Sequence, residues 1–433
     1  MNSLKNRPPS NGELSRSVLP CLIALLVFLG IALFWQGTGW TQDAQVNSCV
    51  ECHSDIAEEN QGSIHAQQGI SCQDCHGGDP SQKDKDAAKA PGTGYIGIPD
   101  KKQIVQVCGT CHADVEKMNF YGIRTDQLAR YKTSLHGKKL LQEGDTHVAA
   151  CSDCHGYHNI LRVTDPNSPA YPLNVPKTCN RCHGNEKLMG SYQLPSDIFR
   201  IYEGSVHGKA LFEKKDISVA QCASCHGSHG AIPPGVKQVG NACGKCHLNE
   251  YKYFSESVHA KLSEGAKFSE CVSCHGNHGV SHPAPALYAQ ACALCHEPQS
   301  PEFQLGHRLE DLIATAQKDL SGSEELAKEA AIEGYFVEQE TASLEQMKTI
   351  VLEMGPLQHT LDEAKISDRS QKVHDLAKEV ADKIDAKRKN KLIRKYSLIP
   401  IWIFILVMVV SLWAKFKELK KGLDGSGSEH DRH

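Results

Sequence analysis

Cys49-Val50-Glu51-Cys52-His53 is the first of nine stretches of one kind in this chain. The pattern returns with Cys72, Cys75 and His76, with Cys108, Cys111 and His112, and with Cys151, Cys154 and His155. It continues with Cys179, Cys182 and His183, with Cys222, Cys225 and His226, and with Cys243, Cys246 and His247. Cys271, Cys274 and His275, then Cys292, Cys295 and His296, complete the set. Each reads Cys-x-x-Cys-His, the attachment signature of c-type haem, in which two thiols bond the porphyrin and the adjacent imidazole lies under the iron. The nine motifs use 18 of the 19 Cys and leave Cys21, which reads as a buried membrane residue. Zinc ribbons and disulfide frameworks also use spaced cysteines, but neither requires a His after every pair. The expected cofactor is therefore nine covalent c-type haems.

Outward from the motifs, the remaining histidines fall into types. Of 23 His, nine belong to the motifs. His65, His136, His207 and His259 each end a Ser-x-His triplet between two motifs. His158, His229 and His278 each follow a motif as Gly-x-His, whereas the second motif continues Gly77-Gly78-Asp79. The intervals repeat: 24 residues separate His112 from His136 and His183 from His207, and 12 separate His53 from His65 and His247 from His259. Such periodicity indicates modules, about 49–76, 108–158, 179–230 and 243–279, with a half-module from 292. Haem iron that only carries electrons needs a second axial ligand. The repeated His supply seven, and His307 and His359 bring the count to nine. His147, His282 and His374 are spare, and His430 and His433 lie in the tail. If a position were open for chemistry, the irons at Cys72–His76 and Cys292–His296 are the weakest in assigned partners. Met118 and Met189 are the only Met in the motif region, so bis-His ligation and mostly low potentials are expected.

Composition supports this reading. Aromatic content is 6% and mean hydropathy −0.40, too little apolar side chain for an ordinary core in residues 41–300. Porphyrins would form that core. The fold expected is mainly α, with haem-packed short helices and loops in two-haem modules, then long C-terminal helices and a transmembrane helix. Net charge is −4, which gives no reason to expect nucleic acid.

Residues 1–17 read as a polar cytoplasmic tail and 18–35 as a signal anchor or signal peptide. Residues 41–300 form the nine-haem region. In 301–396 apolar stripes recur at helical spacing: Leu309, Leu312, Ile313, Ala316 and Leu320, then Leu344, Met347, Ile350, Val351 and Met354, then Val373, Leu376, Ala377, Val380 and Ile384. Gly355-Pro356 is expected to end one helix. Residues 398–413 are apolar and flanked by Lys, as in a membrane span with interfacial anchors, and 414–433 would be a cytoplasmic tail. Basic residues flank the span on both sides, so charge does not orient it. Haem attachment does, by placing the haem region on the periplasmic side of a bacterial inner membrane.

With its Ser-x-His and Cys-x-x-Cys-His-Gly-x-His modules, the chain resembles, over about residues 49–390, the broad lineage of octahaem hydroxylamine oxidoreductases and pentahaem nitrite reductases. The resemblance implies a distal His near the end of a long C-terminal helix, which His359 matches. The Cys-x-x-Cys-Lys motif of the pentahaem enzymes does not occur here. Quinol-oxidising anchored cytochromes are similar in architecture but carry fewer haems after one N-terminal anchor. The function expected is electron transfer between the quinone pool, or a quinol-oxidising membrane subunit, and a periplasmic cytochrome or reductase. The alternative is a reductase or oxidase for a nitrogen or sulfur oxyanion at one open haem.

Overall fold

The computed structural model describes residues 47–234, 239–261, 268–284 and 286–426. The expected N-terminal tail, the 18–35 segment, Cys21, His430 and His433 lie outside them. Among the described residues there are helices, turns and loops but no strand, in agreement with the mainly α expectation.

The chain divides into two compact units. The first comprises the residues up to Cys108 together with Gly156–Arg162, and the second comprises Gly109–His155 and everything from Val163 onward. Most motifs form a single helical turn of their own, as in Cys72–His76, Cys151–His155, Cys222–His226 and Cys271–His275. Others close a longer helix, as in Lys101–His112 and Val175–His183. Gly156, Gly227 and Gly276 end their motif helices at φ of 82°, 80° and 72°, a left-handed conformation that glycine adopts without steric cost. The chain thereby reverses directly after the proximal His, and the Gly-x-His imidazole is carried back toward another part of its unit.

Apolar burial is sparse around the motifs. The buried apolar side chains before Pro301 are isolated residues such as Val105, Leu140 and Leu211. The principal apolar core lies instead in three long helices of the second unit: α1 (Pro301–Ile332), α2 (Glu338–Leu357) and α3 (Glu363–Ser426). Leu309 and Ala316 of α1, Met347, Ile350 and Met354 of α2, and Ile366, Val373, Val380 and Ile384 of α3 are buried together. The helical stripes read from sequence supply most of this core. α2 does not stop at Gly355-Pro356; it includes Pro356 and ends at Leu357, and the following turn, Gln358–Thr360, presents His359.

α3 is continuous over 64 residues. Its first part packs on α1 and α2, and its later part carries the apolar stretch, with mean hydropathy 2.4 and no burial across the most apolar window. By length and composition it can cross a membrane. Where the three helices meet, Glu340 is fully buried and accepts two hydrogen bonds from Lys387 Nζ at 2.8 and 2.7 Å. Removing Lys387 would leave the Glu340 carboxylate buried without its partner. Lys387→Met should therefore destabilise the helical bundle by about 3 kcal/mol, measured as a lower urea midpoint of the helical signal. An unchanged midpoint would show that the pair contributes nothing net.

Candidate haem centre

The ring geometry follows from two local devices. In the first, the Ser of each Ser-x-His is buried, with 0%, 1%, 2% and 1% exposure at Ser63, Ser134, Ser205 and Ser257, and its hydroxyl caps the turn that carries the His. Gly137 N–H donates to Ser134 Oγ at 2.9 Å, and Gly208 N–H donates to Ser205 Oγ at 3.0 Å. A side chain at either Gly would be forced to within 1.9 or 2.0 Å of the Tyr131 or Tyr202 carbonyl oxygen. In the second device, the residue between Ser and His donates its N–H to the carbonyl two residues beyond a Gly-x-His. Ile64 bonds Ile160 at 2.8 Å, Leu135 bonds Ala231 at 3.2 Å and Val206 bonds Val280 at 2.8 Å. These links dock each Ser-x-His turn against a Gly-x-His turn at the same offset three times.

The result is a series of imidazole pairs. Ring centroids are 6.4 Å apart for His76 and His158, 6.1 Å for His136 and His183, and 5.9 Å for His155 and His229. They are 6.3 Å apart for His207 and His247, 5.8 Å for His226 and His278, 6.2 Å for His259 and His296, and 6.0 Å for His275 and His359. Two iron–nitrogen bonds of about 2 Å each, with the ring radii added, require roughly this separation. The residues present therefore fit a bis-imidazole haem at seven motifs. Each pair joins one proximal His to one of the expected distal His. The Ser-x-His imidazoles serve a motif beyond the next one, as His136 does for His183, and the Gly-x-His imidazoles serve an earlier motif, as His229 does for His155.

The ring planes span a range of angles. They are 8° and 14° apart for the Gly-x-His pairs of His229 and His278, 38° for the third Gly-x-His pair, His158 with His76, and 30° for His275 with His359. They are 56°, 59° and 40° apart for the Ser-x-His pairs of His136, His207 and His259. Burial lowers the pKa of His155, His183, His207, His259, His275 and His278. It therefore favours the neutral imidazole that a metal requires. Nδ1 of His76 lies 2.8 Å from the Gly97 carbonyl and Nδ1 of His359 lies 3.0 Å from the Pro356 carbonyl. Such bonds fix the ring and leave Nε2 for iron.

Other expected residues stand elsewhere. His307 lies on α1, partly exposed, with Glu310 3.6 Å away and Phe303 edge-on. His147 lies beside Asp145 and His374 beside Asp319, and His282 Nδ1 lies 3.0 Å from the Pro283 carbonyl. His53 is exposed, and among the described residues no second imidazole faces it. Both irons singled out as weakest in partners have one: His158 faces His76 and His259 faces His296.

The attachment thiols add a second pattern. Within a module the first cysteines meet: Cys49 lies beside Cys72, Cys179 is in hydrogen-bond reach of Cys222, and Cys243 is in reach of Cys271. Between modules the second cysteine of one motif approaches the next motif. Cys154 neighbours Cys179 and Cys182, Cys225 neighbours Cys243 and Cys246, and Cys274 neighbours Cys292 and Cys295. Burial pushes the Cys154 thiol up to about 11.

Reading by motif alone misses Tyr131 and Tyr202, which stand three residues before Ser134 and Ser205. Each phenol donates to a backbone carbonyl 18 residues on, Ala149 at 2.7 Å and Ala220 at 3.0 Å. Their identical offset from the Ser was the signal that could have found them.

Against known proteins, the family model for cytochrome c3 matches residues 64–184. A curated protein, Multiheme cytochrome MtrA of Shewanella baltica (strain OS185), is 24% identical over 150 residues, which is 34% of this chain and 34% of that protein. The chain thus spans about a third of the length of the relative it matches. No solved structure matches. These matches support a multihaem c-type cytochrome with covalent haem.

Proposed function

We propose that this multihaem c-type cytochrome is a membrane-tethered electron wire with nine haems. It would pass electrons between a quinol-oxidising membrane partner, or the quinone pool, and a periplasmic cytochrome or reductase. The observation that supports the reading is the proximity of attachment thiols of consecutive motifs from Cys154 to Cys295, close enough to influence one another's charge and, for Cys179 with Cys222 and Cys243 with Cys271, to hydrogen-bond. Each thiol would hold a porphyrin edge, so these residues would bring neighbouring haems close in sequence order from the fourth site to the ninth. Electron tunnelling decays steeply with edge separation, and such spacing would keep those steps short. The bound haems supply the redox chemistry. The chain's own side chains hold axial positions, exclude water and set the spacing. The partial match to a multihaem cytochrome supports electron transfer in the coarse sense, and the exposed apolar part of α3 supports the tether.

A reductase remains the second reading, and its open iron moves from the two sites expected to Cys49–His53, because His53 alone among the motif His is exposed without a facing imidazole or other ring partner in the described residues. Electron paramagnetic resonance of the oxidised protein tests both readings, with pyridine haemochrome for stoichiometry. The wire predicts nine haems per chain and low-spin signals spread between those of near-parallel and those of strongly tilted imidazole planes, all unmoved by cyanide. A high-spin signal that shifts with nitrite or cyanide, together with turnover of nitrite by a reduced dye, would replace the wire by the reductase.

A further inference from the structure

We propose that Tyr131 and Tyr202 are positioning residues that tie the distal ligand of one haem to the attachment segment of its neighbour, so that two redox centres are held as a pair at each of two module junctions. The proposal rests on the electron-transfer reading above and goes beyond it by naming what fixes the spacing.

Each tyrosine makes two connections. Its carbonyl accepts the Ser hydroxyl, Ser134 Oγ to Tyr131 at 2.7 Å and Ser205 Oγ to Tyr202 at 2.6 Å, and that hydroxyl caps the turn of His136 or His207. Its phenol holds Ala149 or Ala220, two residues before Cys151 or Cys222. His136 faces His183, so Tyr131 joins the fourth and fifth haem sites. His207 faces His247, so Tyr202 joins the sixth and seventh. These are the pairs whose thiols lie near enough across a module boundary to influence one another's charge, Cys154 with Cys179 and Cys225 with Cys243. Both phenols are buried, with 9% exposure, and burial raises their pKa, that of Tyr202 to about 12, so they remain O–H donors.

The fourth module supplies a contrast within the chain. Phe254 occupies the equivalent position and has no hydroxyl. There the distal His259 is braced by Phe268, stacked at 5.0 Å, which also stacks on Phe254. The last junction is thus held by aromatic contact rather than by a hydrogen-bonded tie.

The test uses the full, haem-loaded protein in detergent. Tyr131→Phe should keep nine haems and shift one low-spin signal and one reduction potential, those of the His136–His183 iron, while slowing electron redistribution after rapid reduction. Tyr202→Phe should do the same for the His207–His247 iron, and Tyr192→Phe, whose phenol bonds Asp145, should shift neither. If Tyr131→Phe loses haem, Ser134→Ala cuts the same tie from its other end and should move the same signal. Spectra and potentials of both variants superimposable on wild type, even with lower thermal stability, would reduce the tyrosines to packing residues and overturn the proposal. Wild-type protein without low-spin haem would instead remove the wire reading itself.

Discussion

Cys179→Ser with Cys182→Ser will yield a chain with eight haems, a melted central module and no conduction between its ends. In the proposed wire Cys179 is central, within reach of Cys222 and near Cys154. Without its thioethers the macrocycle at His183 would be lost, and with it the iron that His136 faces. Deleting a buried aromatic side chain costs about 3–5 kcal/mol, and a porphyrin is far larger, so the loss exceeds that range. Apolar side chains cannot compensate, because the buried ones nearby, such as Met189 and Leu211, lie outside the principal apolar core. Coupling of cofactor binding to folding makes the module collapse as a unit. Haemochrome quantitation against protein mass should fall from nine to eight. Flash reduction should then divide the remaining haems into two pools that no longer equilibrate. Fast equilibration across the eight survivors would show that conduction does not follow the thiol contacts.

Truncation after Arg394 should move the protein from the membrane to the soluble fraction, provided the 18–35 segment is cleaved. The deleted stretch exposes Ile399, Trp402, Phe404, Leu406, Leu412 and Trp413 along its length. At about 0.3–0.6 kcal/mol per apolar residue inserted, the segment contributes on the order of 5 kcal/mol of membrane preference, a partition of several thousandfold. Core residues from Leu309 to Ile384 are untouched, so haem content and spectra should survive. Full-length protein that sediments without detergent as a soluble species would remove the tether from the proposed function.

The motifs and both distal His types were legible because spacing reproduces them module after module. Their pairing was not. No Gly-x-His follows the second motif, which continues Gly77-Gly78-Asp79, so spacing left its iron among the weakest in assigned partners. The positive φ at Gly156 turns that chain segment back, and His158 reaches His76 instead. No spacing rule encodes such a reversal, since it depends on where the turn docks, through bonds such as Ile64 to Ile160. The helical stripes of α1 to α3 were legible for the opposite reason: their packing partners share the same period. His359 was legible as a helix-end residue, whereas its partner His275 is visible only once α2 and the motif helix are folded together.

The unbroken course of α3 has an electrical meaning. From Glu363, just after the turn that presents His359, helix continues without interruption to the apolar stretch at Leu398. At about 1.5 Å per residue this is roughly 50 Å of rise, and even a strong tilt of about 40° leaves some 40 Å. Ionic screening extinguishes a charged surface within about 8 Å at physiological salt. If α3 enters the bilayer at Leu398, the iron between His275 and His359 stands several screening lengths from the lipid headgroups, so its potential should not respond to their charge. Nor could a quinol confined to the bilayer touch that iron. Whatever exchanges electrons there must itself project into the aqueous phase.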